Sequence, residues 1–390
     1  MRPVFACSTL ALALALAACS PQPSTSDNAA TGTAQQAENE SARLNAWFET
    51  KYEELLQQSP TQLSFLGRSD HNDKLDDMSE QATKDRLAWL EASVKEMEAG
   101  FKYDALDDET RLSWDLWKRQ YESMRDGMPF LANGYVFDQM NGMHSAFPTF
   151  MISIHKAEDE QGYQAYIARL KAAPVMFDQL LERGRAASAQ NIRAPKFAFE
   201  GVIDQSRKII TGAPFDDGAD SALWADLKAK ADALVEKKVI TAERADQLKE
   251  EARVALVEQL KPGYERIIAW SEEELPKALV NPAGVGTTQA NGAAYYTYQL
   301  AENTTTAMTA DEVHQLGLDE VARIRGEMEA LKDKVGFQGD LQAFFTFIDS
   351  DKQFKYPDTD AGRQAYIDDA TAAIDNIKKH LPEYFGLLPK

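Results

Sequence analysis

The sequence predicts an all-α fold built from long helices and helical hairpins. Apolar residues recur at the three- and four-residue spacing of helices along most of the chain, and several of these segments begin with a capping residue. No alternating apolar–polar pattern typical of a strand extends beyond a few residues, and the sequence shows no internal repeat. The core is therefore expected to consist of packed helices.

The start of the chain predicts a lipoprotein signal peptide over residues 1–18. Arg2 supplies a positive charge, and residues 4–17 form an apolar run shorter than the roughly 20 residues that span a bilayer. The run ends in Leu16-Ala17-Ala18-Cys19, which resembles the bacterial lipobox. The resemblance implies cleavage before Cys19 and lipid attachment to its thiol. The alternative is an ordinary cleaved signal that happens to contain a cysteine.

Lipid on Cys19 would hold the chain on a membrane, at about 0.8 kcal/mol per buried methylene. Ser20 follows the cysteine, where an aspartate would favour the inner membrane, so we predict the outer membrane, facing the periplasm. Residues 19–40 contain almost no large apolar side chain and predict a flexible tether. The folded domain is then residues 41–390.

Composition argues against several classes of partner and site. The formal net charge is −20, whereas nucleic-acid binding needs a basic surface. The other cysteine, Cys7, lies in the signal peptide, so the mature chain keeps one cysteine, and the lipid occupies it. No disulfide, thiolate metal site or cysteine nucleophile is therefore available.

Capping residues, glycines and prolines set the bounds of the predicted helices. Ser79 is a candidate N-cap, and Thr309 with Glu312 forms a capping box. Pro174 predicts a kink or a break within its helix. Residues 222–277 predict a solvent-exposed hairpin of long helices, interrupted at Thr241 and at Pro262. The predicted helices cover residues 41–58, 79–100, 107–127, 158–190, 195–210, 222–277, 309–335, 340–348 and 360–379.

Residues 128–154 lose the helical period and predict a long aromatic loop, interrupted by Gly134, Gly142 and Pro148. Loops of this length in compact domains are often functional. We therefore expect this loop, and the stretch 291–298, to line a cleft. The candidate lining residues are Phe137, His144, Phe147, Asn291, Tyr295, Tyr296 and His314.

No complete catalytic motif is present, whether His-Glu-x-x-His, Gly-x-Ser-x-Gly or a phosphate-binding loop. The best local metal candidate is His155 with Glu158, which share a face at a helix start, with His144 as a third ligand. Alternatively, Glu158 belongs to an acidic first turn that interacts with the helix dipole. We favour the second explanation, and assign no catalytic residue and no metal ligand.

Several segments resemble the domain-of-unknown-function family 885. The hallmark-like runs are residues 291–300, which include Asn291-Gly292-Ala293-Ala294-Tyr295, and residues 304–324, which include Asp311-Glu312-Val313-His314. Residues 156–170 and 381–389 are similar to further family segments. The resemblance extends over essentially all of residues 41–390 and implies a mostly helical protein similar to zinc peptidases of the gluzincin type.

The family resemblance also implies where zinc would bind. Members carry a His-Glu-x-x-x-Gly-His-His-like segment and a downstream acidic ligand, in which two histidines and a glutamate would hold zinc. That segment normally follows the Phe-Gly-Leu-Leu-Pro stretch, and here the chain ends after Phe385-Gly386-Leu387-Leu388-Pro389. Zinc is therefore expected for the complete family fold and not for this chain, which alone is expected to be inactive.

Three explanations remain open: a truncated product, which we favour; a degenerate member kept as a binding module; or a site completed by another chain. The first hypothesis is the N-terminal part of a metallopeptidase-like protein with peptide substrates. The alternative is a non-catalytic helical envelope lipoprotein that binds a peptide or protein partner. A truncated chain is expected to expose an apolar patch larger than a few hundred Å².

Overall fold

The computed structural model describes residues 25–386 and residue 388. The structure is 74 % helical, and the described residues form no sheet, which confirms the all-α prediction. None of the described helices is long and apolar enough to cross a membrane. The predicted signal peptide and the lipidation site Cys19 lie outside the described residues.

The chain divides into two compact units, the first ending at Glu302 and the second beginning at Asn303. The first unit contains α1 to α11 and nearly all of α12, and the second contains α13 to α15. The helices are α1 Thr25–Gln57, α2 Pro60–Phe65, α3 Glu80–Gly100, α4 Asp108–Gly127, α5 Met143–Ser153, α6 Glu160–Ala189, α7 Lys196–Ile209, α8 Ala222–Glu236, α9 Ala242–Val254, α10 Lys261–Glu274, α11 Val285–Thr288, α12 Gly292–Thr304, α13 Ala310–Lys334, α14 Leu341–Ser350 and α15 Asp360–Tyr384.

Helix α6 lies at the centre of the first unit. It buries residues on several faces, among them Tyr163, Ala165 and Ile167, as a helix surrounded by others must. Helices α7 and α10 pack against each other, and α10 packs against α6. The helix passes through Pro174 without a break. A smaller core lies between α1, α3 and α4, where Leu44 and Met97 are fully buried.

The predicted aromatic loop is wrong for part of its length, because residues Met143–Ser153 form α5. The helix buries Phe147, Phe150 and Met151 in the main core. Its apolar residues are too closely spaced for the sequence to show a clear helical period. Burial against distant helices therefore decides the local structure here.

Pro148 lies inside α5, and a distant hydroxyl replaces the hydrogen bond that it removes. Proline has no backbone N–H, so the carbonyl of His144, four residues earlier, loses its helical donor. The Tyr264 hydroxyl from α10 donates to this carbonyl oxygen at 2.7 Å. Tyr264 is fully buried, and burial raises the pKa of its hydroxyl well above the ordinary value. It is therefore protonated and able to donate at neutral pH.

Replacing Tyr264 by phenylalanine is expected to destabilise the first unit by about 2 kcal/mol, because the buried carbonyl of His144 loses its partner. In the Pro148→Ala background a backbone N–H returns, so the same replacement should cost about 1 kcal/mol less. All six tryptophans precede residue 303, so denaturation followed by tryptophan fluorescence reports on this unit.

A matched control for this cycle is Tyr163→Phe. The Tyr163 hydroxyl also donates to a buried backbone carbonyl, that of Leu227, at 3.0 Å. Leu227 lies inside α8, where the helix supplies a second donor. The control should cost less than Tyr264→Phe and should not depend on residue 148. Equal costs of Tyr264→Phe with and without Pro148 would contradict this explanation.

The hairpin prediction for residues 222–277 is correct in connectivity, since α8 packs against α9, but wrong in exposure. Leu227, Leu248 and Leu256 are fully buried in the main core. No break occurs at Pro262, which lies in the first turn of α10. Residues Ala255–Leu260 form a π-helical turn that joins α9 to α10. Wider hydrogen-bond rings of this kind accommodate an extra residue within a helix.

The prediction of a flexible tether is wrong for the residues that the structure describes. The described part of the predicted tether, residues 25–40, lies in α1 rather than in coil, and the domain boundaries stay predictions.

The capping box predicted from Thr309 and Glu312 is confirmed at the start of α13. In the second unit, α13 packs against α14, and Phe337 contacts Phe344 and Phe347 beside them.

Candidate functional site

A fully buried arginine on α6 joins two segments that are far apart in the sequence. The Arg169 guanidinium has no solvent exposure, and all five of its N–H groups are hydrogen-bonded to neutral acceptors. It also lies over the Phe150 ring, 5.0 Å from the centroid. The acceptors are Lys74 O (2.8 Å), Asn72 Oδ1 (3.0 Å), His155 Nδ1 (2.8 Å), Pro60 O (3.2 Å) and Ser64 Oγ (2.8 Å). We call this set the Arg169 network.

The Arg169 network fixes the tautomer of His155. A guanidinium can only donate, so Nδ1 of His155 must be the unprotonated acceptor. The carbonyl of Gly162 can only accept, so Nε2 carries the proton and donates to it at 2.9 Å. Both ring nitrogens are therefore engaged, and neither is free to bind a metal or to accept a substrate proton.

Burial, together with the nearby Arg169 charge, lowers the pKa of His155 to about 4, although the hydrogen bond to Gly162 acts in the opposite direction. Burial likewise lowers the pKa of Arg169 to about 10. At neutral pH the pair is thus a charged guanidinium bonded to a neutral imidazole. Only a neutral imidazole presents an acceptor to this donor.

His144, the third residue considered as a metal ligand, is fully buried on α5. Its Nε2 lies 2.8 Å from Gln205 Oε1, and the Gln205 amide nitrogen donates to the carbonyl of Gln139, which fixes the amide orientation. The remaining nitrogen, Nδ1, has no hydrogen-bond partner and faces Gly142, where an added Cβ would lie 2.3 Å away. Burial lowers the pKa of His144.

The three candidate ligands, His144, His155 and Glu158, do not fit a zinc site. His155 has no free lone pair, and Nδ1 of His144 packs against the backbone at Gly142. Glu158 is exposed just before α6, whose N-cap is Asp159. Within residues 25–386, no group of three or more His, Cys, Asp or Glu side chains is arranged to hold a metal ion.

Three of the predicted cleft-lining residues, Phe137, His144 and Phe147, lie in the interior, each at most 2 % exposed. Asn291 forms an amide cluster with Asn133, which donates from Nδ2 to Asn291 Oδ1 at 2.6 Å. The same amide donates to Gln289 Oε1 at 2.6 Å. The structure thus joins the predicted loop to the stretch before α12, although through amides rather than through aromatic rings.

The other predicted lining residues are more accessible. Tyr295 is half-buried against the Phe130 ring, and Tyr296 on the same helix is 47 % exposed. His314 is exposed on α13 of the second unit. Their proposed contact with a substrate stays a prediction.

A polar pocket of about 690 Å³ lies beside the Arg169 network. One wall comes from residues 64–73 and the other from residues 154–168. The network lies between these walls, because Ser64 and Asn72 belong to the first wall and both accept from Arg169 on α6. We call this space the charged pocket; its charged lining residues are Arg68, Asp73, Lys156, Glu158 and Asp159.

Sequence reasoning missed Arg169, although a signal was present. Tyr166 and Ala173 lie three residues before and four after it, so all three share one face of α6. An arginine within an apolar helical face must bury its charge and requires acceptors. The sequence therefore indicates that Arg169 needs buried acceptors, but it does not indicate that several of them lie in residues 60–74.

Comparison with known proteins gives a family and a fold. A family profile described as "Bacterial protein of unknown function (DUF885)" matches residues 60–390. The chain is similar, with a TM-score of 0.73 and 21 % identity, to a crystal structure described as that of "the putative lipoprotein from Colwellia psychrerythraea". The match covers 85 % of this chain and 58 % of that one, so this chain spans less than two thirds of that protein. No curated protein matches.

Proposed function

The chain belongs to the DUF885 family of bacterial proteins of unknown function, and from that premise we propose that it is the N-terminal helical portion of a lipid-anchored, periplasm-facing metallopeptidase-like protein. Zinc and the catalytic residues belong to a segment beyond Lys390, so this portion alone is inactive. Its role is to cover one side of the site that the following segment forms.

The observation that carries the proposal is an apolar stripe on α13. The heptad spacing of helix–helix contacts is followed by Val321, Ile324, Met328 and Leu331, and by Val335 at the C-cap of the helix. They are between 39 and 66 % exposed, and α13 has no buried residue. A 25-residue helix does not keep such a stripe in water unless another surface covers it.

A second stripe on α15 supports the same conclusion. Ile367, Ile374, Ile377 and Tyr384 have the same heptad spacing and are between 53 and 79 % exposed. Together the two stripes expose nine large apolar side chains within one small unit, and extended exposed apolar surfaces usually mark places that another element or a partner covers. The greater length of the similar solved structure also supports a segment that covers them.

The double variant Ile324→Glu/Leu331→Glu, which introduces two charges into the α13 stripe, tests this proposal. In the present chain both sites are exposed, so the helix content should not change and binding of a hydrophobic dye should fall. In a chain extended by its downstream reading frame, the same variant should lose several kcal/mol of stability, because the charges would be buried.

The matched control is Ala322→Glu/Ala330→Glu, which places the same charges on the other face of α13. It should be tolerated in both chains. An extended chain that tolerates the stripe variant equally well would contradict the proposal.

Activity provides a separate test. Stoichiometric zinc with chelator-sensitive peptide hydrolysis in the present chain would also contradict the proposal. The alternative, a non-catalytic envelope lipoprotein, would use the same stripes to bind a protein partner. A stop codon directly after Lys390 in the gene would favour that alternative, and an in-frame His-Glu-x-x-x-Gly-His-His segment would favour the enzyme.

A further inference from the structure

We propose that the charged pocket binds a short peptide with free termini, its carboxylate on Lys156 and its ammonium on Glu158 or Asp73. This inference does not rest on the proposed function. It requires neither zinc nor a downstream segment, and of the three candidate metal ligands only Glu158 lines this space.

The size and rigidity of the pocket suit a small ligand. Its volume of about 690 Å³ lies in the range of small-molecule sites. The Arg169 network holds both walls from behind, since the guanidinium binds Asn72 and Ser64 on one side and His155 on the other. The walls are therefore positioned before a ligand arrives, which lowers the entropy cost of binding.

Two of the charged side chains that line the pocket, Arg68 and Asp159, are already engaged. Arg68 forms ion pairs with Glu53 and Asp70, at 2.6 and 3.0 Å. Asp159 accepts the backbone N–H of Gly162 at 2.7 Å and so caps α6. These groups already have partners.

Three charged side chains have no hydrogen bond or ion pair among the described residues: those of Lys156, Glu158 and Asp73, although the Asp73 charge attracts the buried Arg169 from a distance. All three side chains are exposed and line the same pocket. One cation and two anions in a single space match a ligand that carries both an ammonium and a carboxylate. A ligand of one sign alone would meet a like charge in the pocket, which disfavours it.

Asn72 adds a neutral donor with a fixed direction. Its Oδ1 accepts from Arg169 at 3.0 Å and lies within 3.4 Å of the Ser64 hydroxyl. Because the guanidinium can only donate, the amide nitrogen must point away from it. This Nδ2 has no partner among the described residues and is free to donate to a peptide carbonyl.

Titration calorimetry of the purified chain with tri-alanine tests the proposal. We expect saturable binding of one peptide per chain. Acetylation of the amino terminus and amidation of the carboxyl terminus should each weaken binding by about tenfold or more, because each removes a charged partner. An absence of saturable binding, or equal binding of the doubly capped peptide, would overturn the proposal.

Two variants assign the ends of the peptide. Lys156→Met should reduce the loss caused by amidation, and Glu158→Gln should reduce the loss caused by acetylation. The matched controls are Lys171→Met and Glu182→Gln, which remove exposed charges from α6 outside the pocket. All four side chains are exposed, so unchanged denaturation curves will verify folding. If Lys156→Met and Glu158→Gln bind tri-alanine as tightly as their controls do, the assignment is wrong.

Discussion

Replacement of Arg169 by methionine is expected to lower the free energy of unfolding of the first unit by about 3–5 kcal/mol. Methionine fills similar space but donates no hydrogen bond. The buried acceptors of the Arg169 network, among them the backbone carbonyls of Pro60 and Lys74, would lose their partner in a place that water does not reach. The gain from no longer burying a charge offsets only part of this loss.

The control for this prediction is Arg266→Met, in the same unit. Arg266 forms a two-fold ion pair with Asp178 at 2.7 and 2.9 Å, but both side chains are more than 40 % exposed. Exposed pairs contribute about 1 kcal/mol or less. Denaturation followed by tryptophan fluorescence should therefore show a much larger loss of unfolding free energy for Arg169→Met than for Arg266→Met. This is expected even though Arg266 has a carboxylate partner and Arg169 has only neutral acceptors.

A third variant, Arg169→Lys, separates charge from geometry. Lysine keeps the positive charge but has three donors at one point, and it cannot reach acceptors spread around a planar guanidinium. It should be nearly as destabilising as methionine. If Arg169→Met costs no more than Arg266→Met, or if lysine restores full stability, the proposed role of the guanidinium is wrong.

The helices could be predicted because their signals are local. The Ser79 side chain accepts the backbone N–H of Ala82, and Thr309 accepts that of Glu312, both within one turn of the cap. Such bonds require only the right residue type at the right spacing. The apolar periodicity of α13 is likewise a local signal. It predicts the helix even though the described residues leave the apolar face of α13 exposed.

The site could not be predicted, because its contacts join distant parts of the chain. Arg169 binds the carbonyl of Lys74, 95 residues earlier, and that of Pro60, 109 residues earlier. The helix around Pro148 depends on Tyr264, which reaches the carbonyl of His144 across 120 residues. Patterns within a short stretch of sequence cannot indicate such pairings. The residue types were visible in the sequence, but not which of them are in contact.

Acid should destabilise the first unit through His155, by about 3 kcal/mol between pH 6.5 and pH 4. In the unfolded chain the imidazole takes up a proton near its ordinary pKa of 6.5, whereas in the folded chain its pKa is about 4. Between these values the unfolded state binds more protons, so stability falls as the pH falls. Protonation would also place an N–H of His155 against the donor Arg169.

His155→Gln tests this prediction, since a glutamine amide keeps a neutral acceptor and a donor but does not titrate. The difference in unfolding free energy between wild type and variant should shrink by about 3 kcal/mol from pH 7.5 to pH 4. Carboxylates such as Asp107, whose pKa is lowered by its hydrogen bond to the Thr110 amide, lose their contribution only as the pH falls below about 4. Wild type and variant share all carboxylates, so these contributions cancel in the difference.

The control is His71→Gln, in the same unit. The His71 imidazole lies outside the Arg169 network, since it is not one of the five acceptors of the guanidinium. Both variants replace one histidine by one glutamine, so the chemical change is the same. What differs is the environment, a buried imidazole against a partly exposed one. If the pH-dependent difference for His155→Gln is no larger than that for His71→Gln, then the Arg169–His155 pair does not couple protonation to folding, and the neutral tautomer assigned from its two hydrogen bonds is wrong.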